Sequence, residues 1–144
     1  MEKHLILGFL GKNLKGHPRL SDDVIAQFIR GNVPLGYDTV LTGINGVFER
    51  NCAKVALAQR DAGLGVKLTV ALTKQKFETY LRFARDGRPL NDELKIIPQA
   101  DDLQIIGSDS SLSARMLCDR YIIDNSDLLY YSVSAQESDF RGRY

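Results

Sequence analysis

Apolar residues run along this chain in two alternating rhythms. Short stretches at His4 to Leu10, Asp38 to Leu41, Val66 to Leu72, Leu103 to Ile106 and Leu128 to Val133 read as strands, the first of them apolar enough for burial on both faces. Between them the apolar positions recur at helical spacing. Val24, Ile25, Phe28 and Ile29 follow Ser21-Asp22-Asp23, an N-cap with first-turn acids, and stop at Gly31 and Pro34. Phe48, Cys52, Val55, Ala56 and Ala62 stripe a second helix whose other face carries Glu49, Arg50, Lys54, Arg60 and Asp61, and Gly63-Leu64-Gly65 ends it. Thr73 caps a third, with Phe77, Tyr80, Leu81 and Ala84, which ends at Gly87-Arg88-Pro89. Residues 88 to 101 read mostly as loop, with Leu94 to Ile97 as a short strand. Ser110 or Ser111 opens a last helix through Ala114, Leu117, Cys118, Tyr121 and Ile122.

The resulting β-α-β-α-β-α-β-α-β order predicts an α/β fold: a single Rossmann-like domain over residues 1–134, built on a mainly parallel sheet of about five strands with helices on both faces. Residues 135–144 form a polar C-terminal tail carrying Arg141 and Arg143. A length of 144 residues suits one domain with its own core. A formal net charge of +1 argues against nucleic acid as a partner, and no stripe of interleaved aromatic and basic residues offsets that. No apolar run approaches the roughly 20 residues of a membrane span, and the first is too short for a signal sequence. Cys52 and Cys118 read as buried free thiols, which makes the cytoplasm the expected location. Neither they nor His4 and His17 show metal-ligand spacing, so no metal or cofactor is expected.

Candidate chemistry concentrates where the second strand meets its helix. The run Tyr37-Asp-Thr-Val-Leu-Thr-Gly-Ile-Asn-Gly-Val-Phe-Glu49 passes from strand through a glycine turn into a helix. That order gathers backbone N–H groups and the positive end of a helix dipole at one point, which attracts phosphate or carboxylate. In open α/β sheets ligands bind outside the carboxyl ends of the strands. The candidate ligand-binding residues are therefore Gly8, Phe9, Gly11 and Lys12 after the first strand, and Thr42, Gly43, Asn45 and Gly46 after the second. Ser108 follows the fourth and Ser132 lies at the end of the fifth. Each has a plain alternative: the glycines shape tight turns, and Glu49 complements the dipole of its helix. Gly43 and Gly46 supply only part of a dinucleotide fingerprint, and neither a P-loop nor a nucleophile elbow is present. If the chain is an enzyme, Glu49 is the first choice of acid or base and Asp109 the second. Asp124, Ser126 and Asp127, at the last helix-to-strand junction, have the residue types that close turns.

Two segments carry a resemblance. Arg120-Tyr-Ile-Ile-Asp-Asn-Ser-Asp-Leu-Leu-Tyr-Tyr resembles the hydrophobic–Asp–x–Ser–Asp–x–hydrophobic segment of the YpsA-like branch of the SLOG superfamily, and Thr42-Gly43-Ile44-Asn45-Gly46-Val47 resembles that branch's Ser-Gly-x-x-x-Gly-Val turn. The resemblance implies a domain that binds nucleotides or nucleotide-derived molecules, in a superfamily of phosphoribohydrolases, defence-system ligand sensors and a DNA-processing protein. It also implies a homodimer or higher homo-oligomer, to which the aromatics Tyr80, Phe83, Tyr130 and Tyr131 would contribute. The hydrolase signature Pro-Gly-Gly-x-Gly-Thr-x-x-Glu has no match, and Ser132-Val-Ser-Ala-Gln-Glu-Ser-Asp139 replaces the glycine/threonine-rich turn usual after the last strand. The expectation is accordingly binding of an NAD- or ADP-ribose-like molecule without turnover, in a bacterial or phage defence setting. A nucleotide N-glycosidase is one alternative, and a protein-interaction module or inhibitor with a degenerate pocket is the other.

Overall fold

The computed structural model describes residues 4–12, 21–108 and 111–133. His17, Asp109, Ser110 and the C-terminal tail lie outside the described residues, as do the side chains of Lys12 and Ser132. Four helices begin at side-chain caps. Ser21 Oγ accepts from the Val24 N–H at 3.3 Å, Thr73 Oγ1 from Lys76 at 3.2 Å, Asn91 Oδ1 from Leu94 at 2.8 Å and Ser111 Oγ from Ala114 at 3.2 Å. These open α1 (Asp22–Asn32), α3 (Lys74–Arg85), α4 (Asp92–Ile96) and α5 (Leu112–Asn125). The remaining long helix, α2 (Val47–Asp61), starts at Gly46, which brings no side chain to the task.

The stretch read as a short strand at Leu94–Ile97 is instead α4, followed by a 3₁₀ turn at Ile97–Gln99. The Asn91 cap and the first-turn acids Asp92 and Glu93 favour a helix, and Leu94, Ile96 and Ile97 bury into the core from it. Short apolar runs do not discriminate helix from strand by spacing alone, and here the cap decides.

Strands β1 (Leu5–Lys12), β2 (Tyr37–Thr42), β3 (Lys67–Leu72), β4 (Asp102–Ile105) and β5 (Leu128–Val133) form one sheet in the order β4-β3-β2-β1-β5, parallel at every pairing. The chain walks outward from β1 to β4 and then returns past the whole sheet to place β5 on the free side of β1. Right-handed crossovers put the connections of the outward walk on one face and α5 on the other.

The two faces are unequal. On the first, Leu7, Phe9, Val40, Leu68, Val70 and Leu72 of the sheet pack with α1, α2 and α4 into the main core. On the second, Leu10, Leu41 and Ala71 meet Ile122 of α5, with Tyr121 and Leu129 at the margin. Of α5, Ala114, Cys118 and Ile122 are buried, whereas Leu112, Met116, Leu117 and Ile123 face outward. Leu117 thus leaves the stripe that helical spacing assigned to it. Tyr80, Phe83 and Tyr130 pack against the main core. Three of the four aromatics credited to an oligomer interface therefore have places within one chain. Both cysteines are buried free thiols, and no described helix is long and apolar enough to cross a membrane.

Candidate functional site

Reversal of strand order beside β1 defines the switch point of the sheet, where open α/β folds hold ligands. Register places Gly11 opposite Ser132 and Lys12 opposite Val133 on one side of β1, and Phe9 opposite Thr42 on the other. The backbone of Gly11, Lys12, Thr42 and Ser132 therefore converges at the carboxyl ends of three adjacent strands.

The turn from Gly43 to Gly46 closes this end. Gly46 is the N-cap of α2 with an extended φ of −147°, and a Cβ there would meet no atom within 4 Å. Any residue but proline fits Gly46 conformationally. Gly43 differs: a Cβ would stand 2.3 Å from Glu49 Oε1 and 3.5 Å from the Ala71 carbonyl oxygen. The Glu49 carboxyl occupies the space that glycine leaves.

Glu49 is the main correction to the sequence reading, which assigned it to the polar face of α2. It is 3% exposed. From the third position of the helix its side chain folds back over the turn, in the manner of a capping-box glutamate, and the backbone N–H groups of Asn45 and Gly11 lie towards it. Burial pushes its pKa up to about 8, helped by the negative charge of Asp119 and opposed by those two N–H groups and the Lys76 ammonium. Among the described residues its Oε1 has no hydrogen-bond partner, and neither does the buried Asn45 Nδ2.

The orientation of the Asn45 amide is set by chemistry. Lys76 Nζ donates to its Oδ1 at 3.2 Å, which leaves Nδ2 as the orphaned end. Lys76 also contacts the Glu93 carboxylate, and Arg50 lies 3.6 Å from the other oxygen of that group. Lys76, Arg50 and Glu93 all went unnoticed as site candidates in the sequence. One signal was available for Lys76: it lies three residues past the cap Thr73, at the carboxyl end of β3.

Other candidates are elsewhere. Gly8 lies within β1 rather than at its end, paired with Leu41 and Leu129, and a Cβ on it would stand 1.8 Å from Ser126 Oγ. It allows the end of α5 to pack on the sheet. Phe9 is 1% exposed and stacks among Phe28, Phe48 and Tyr130, out of a ligand's reach. Ser108 is exposed in the loop beyond β4, a strand that lies at the edge of the sheet with β3 and β2 between it and β1. Its neighbour Gly107, at φ +77°, is required there: a Cβ would meet Ala114 Cβ at 2.8 Å. Burial raises the pKa of the Cys52 thiol and holds that of Cys118 at about 11, so both stay protonated and unreactive near neutral pH.

The second segment singled out by the sequence, Asp124 to Asp127, lies at the opposite end of the sheet. Asp127 Oδ2 accepts the Ile6 N–H at 2.7 Å, while the Asp127 N–H donates to the Ile6 carbonyl at 2.8 Å. Ser126 Oγ donates to the Ile122 carbonyl at 2.6 Å, and Arg120 pairs with Asp124 at 3.2 Å. This segment joins α5 and β5 to the start of β1. No protein-family model matches the chain and no curated protein matches it.

Proposed function

We propose that the protein holds a nucleotide-derived small molecule, of NAD or ADP-ribose type, at the carboxyl ends of β1 and β2 and the start of α2, and that it senses or sequesters this molecule without turning it over. One observation carries the reading: the strand-end turn contains two orphaned buried polar atoms, Asn45 Nδ2 and Glu49 Oε1, beside a lysine. Unsatisfied buried groups are rare in folded proteins, and a ligand is one of the partners that explains them. The resemblance to YpsA-like SLOG domains points to the same ligand class. Titration calorimetry of the folded chain with ADP-ribose, cyclic ADP-ribose isomers, NAD and AMP is expected to give heat with at least one. No heat from any of them ends the proposal.

A second reading is favoured by Glu49 itself. A carboxyl whose pKa lies at about 8 still holds its proton near neutral pH, as a general acid in glycosidic bond cleavage must. On that reading the chain releases free base from a nucleotide and Glu49→Gln abolishes the release. Quantitative recovery of intact ligand from the wild-type protein decides for binding alone.

A further inference from the structure

Three cations and two carboxylates lie between α2, α3 and α4. Lys76 and Arg50 share the single carboxylate of Glu93, and Lys54 pairs with Asp92 at 3.2 Å. The cluster therefore carries one surplus positive charge, next to the positive end of the α2 dipole. Its members are neither dry nor free in water: the side chains of Lys76, Arg50 and Glu93 are 18%, 30% and 21% exposed. At that depth charges are screened less than on an open surface but stay within reach of a solute.

We propose that Lys76 and Arg50 form the seat for an anionic group of the ligand, a phosphate or carboxylate, and that Glu93 is an internal counter-ion which that group displaces. The inference rests on the reading of the strand-end turn as a ligand site and adds the residues that recognise charge there. A phosphate accepts hydrogen bonds from several donors at once, so it can engage both cations and also the Asn45 Nδ2 donor that now lacks a partner. Glu93 can leave by rotating its own side chain. Its helix stays anchored by the Asn91 cap and by buried Leu94 and Ile96. Glu49, the acid nearest the turn, is tucked under Gly43, and although the Lys76 ammonium acts on it, burial keeps it protonated near neutral pH, so it adds no second counter-ion there.

The test is titration calorimetry of the full chain with pyrophosphate, ADP-ribose and AMP, with folding checked by thermal melts. Glu93→Gln is expected to tighten binding by about tenfold and Lys76→Gln to weaken it by about tenfold, with Lys76→Arg close to wild type. Lys54→Gln, which removes a charge from the exposed neighbouring pair and not from the seat, is expected to weaken binding by less than about twofold. Nucleotide binding that is indifferent to both Glu93→Gln and Lys76→Gln overturns the seat and leaves the ligand reading standing. Pyrophosphate binding with the expected pattern but no nucleotide binding keeps the seat and removes the nucleotide. Failure of all three probes to bind the wild-type protein removes both.

Discussion

The Gly43–Gly46 turn, from strand to helix, and the Asp124–Asp127 junction, from helix to strand, both carry polar side chains and both stand out in the sequence. They differ in how completely they satisfy themselves. At the junction, the Asp127 carboxylate, the Asp127 N–H and the Ser126 hydroxyl all have short partners, and Gly8 is shaped to receive Ser126. At the turn, a buried carboxyl and a half-buried amide each keep one buried atom unpartnered among the described residues. A closed hydrogen-bond network serves the fold, whereas an open one at a switch point of the sheet is available to a ligand. Polar composition alone does not distinguish the two.

The contrast can be broken experimentally, and the largest effect belongs to the junction. Gly8→Val puts new atoms where Ser126 stands and is expected to cost more than about 3 kcal/mol in urea unfolding. Gly8→Ala combined with Ser126→Gly should recover much of the loss of Gly8→Ala alone. Recovery of none would mean that the close approach is not the reason for the glycine.

Next comes the pH dependence set by the turn. The pKa of Glu49 in the folded state is raised from 4.5 to about 8, so between those values the native state binds more protons than the unfolded chain. Stability is therefore complete below the lower value and falls as pH rises towards the upper one, by on the order of a few kcal/mol. Glu49→Gln should flatten this slope in melts between pH 5 and pH 8, and an unchanged slope would assign it to another group.

Asp127→Ala removes the acceptor of the Ile6 N–H and is expected to cost about 1–2 kcal/mol without altering ligand affinity. A matching loss of affinity would erase the distinction between the two regions. The smallest stability effect is expected from Gly46→Asp. Aspartate is a better N-cap than glycine and the position has room, so stability should hold or rise by a few tenths of a kcal/mol. The new charge should nevertheless repel an anionic ligand and abolish its heat of binding. A stable variant that binds normally would move the ligand away from the α2 terminus.

Much of the architecture was legible along the chain because strand and helix periodicities differ and because caps are local. Ser21 and Thr73 were recognised as helix starts, the last start was narrowed to Ser110 or Ser111, and the five apolar runs became the five strands to within two residues at each boundary. Leu94–Ile97 was misread because a run of four apolar or charged residues fits both periods, and its deciding residue, Asn91, precedes the run. The site was legible in outline only. Gly43, Asn45 and Gly46 stood out as candidates because turn residues announce themselves. Lys76, Arg50 and Glu93 were not, because on a helix face they look like any solvated charge.

What the sequence determined by itself is the alternation of elements, hence a parallel sheet, and the turn at which β2 passes into α2. Both follow from interactions within a few residues: side-chain spacing, caps and glycine conformation. Tertiary structure alone decided which polar groups lost water. Glu49 lies on the nominally polar side of α2, yet the backbone of β1 and the turn enclose it. Gly8 has an ordinary strand environment until α5, more than 100 residues later, brings Ser126 against it. Burial and charge pairing depend on neighbours that are remote in the chain, and those neighbours decide which of two similar polar segments supports the fold and which is left with hydrogen bonds to give.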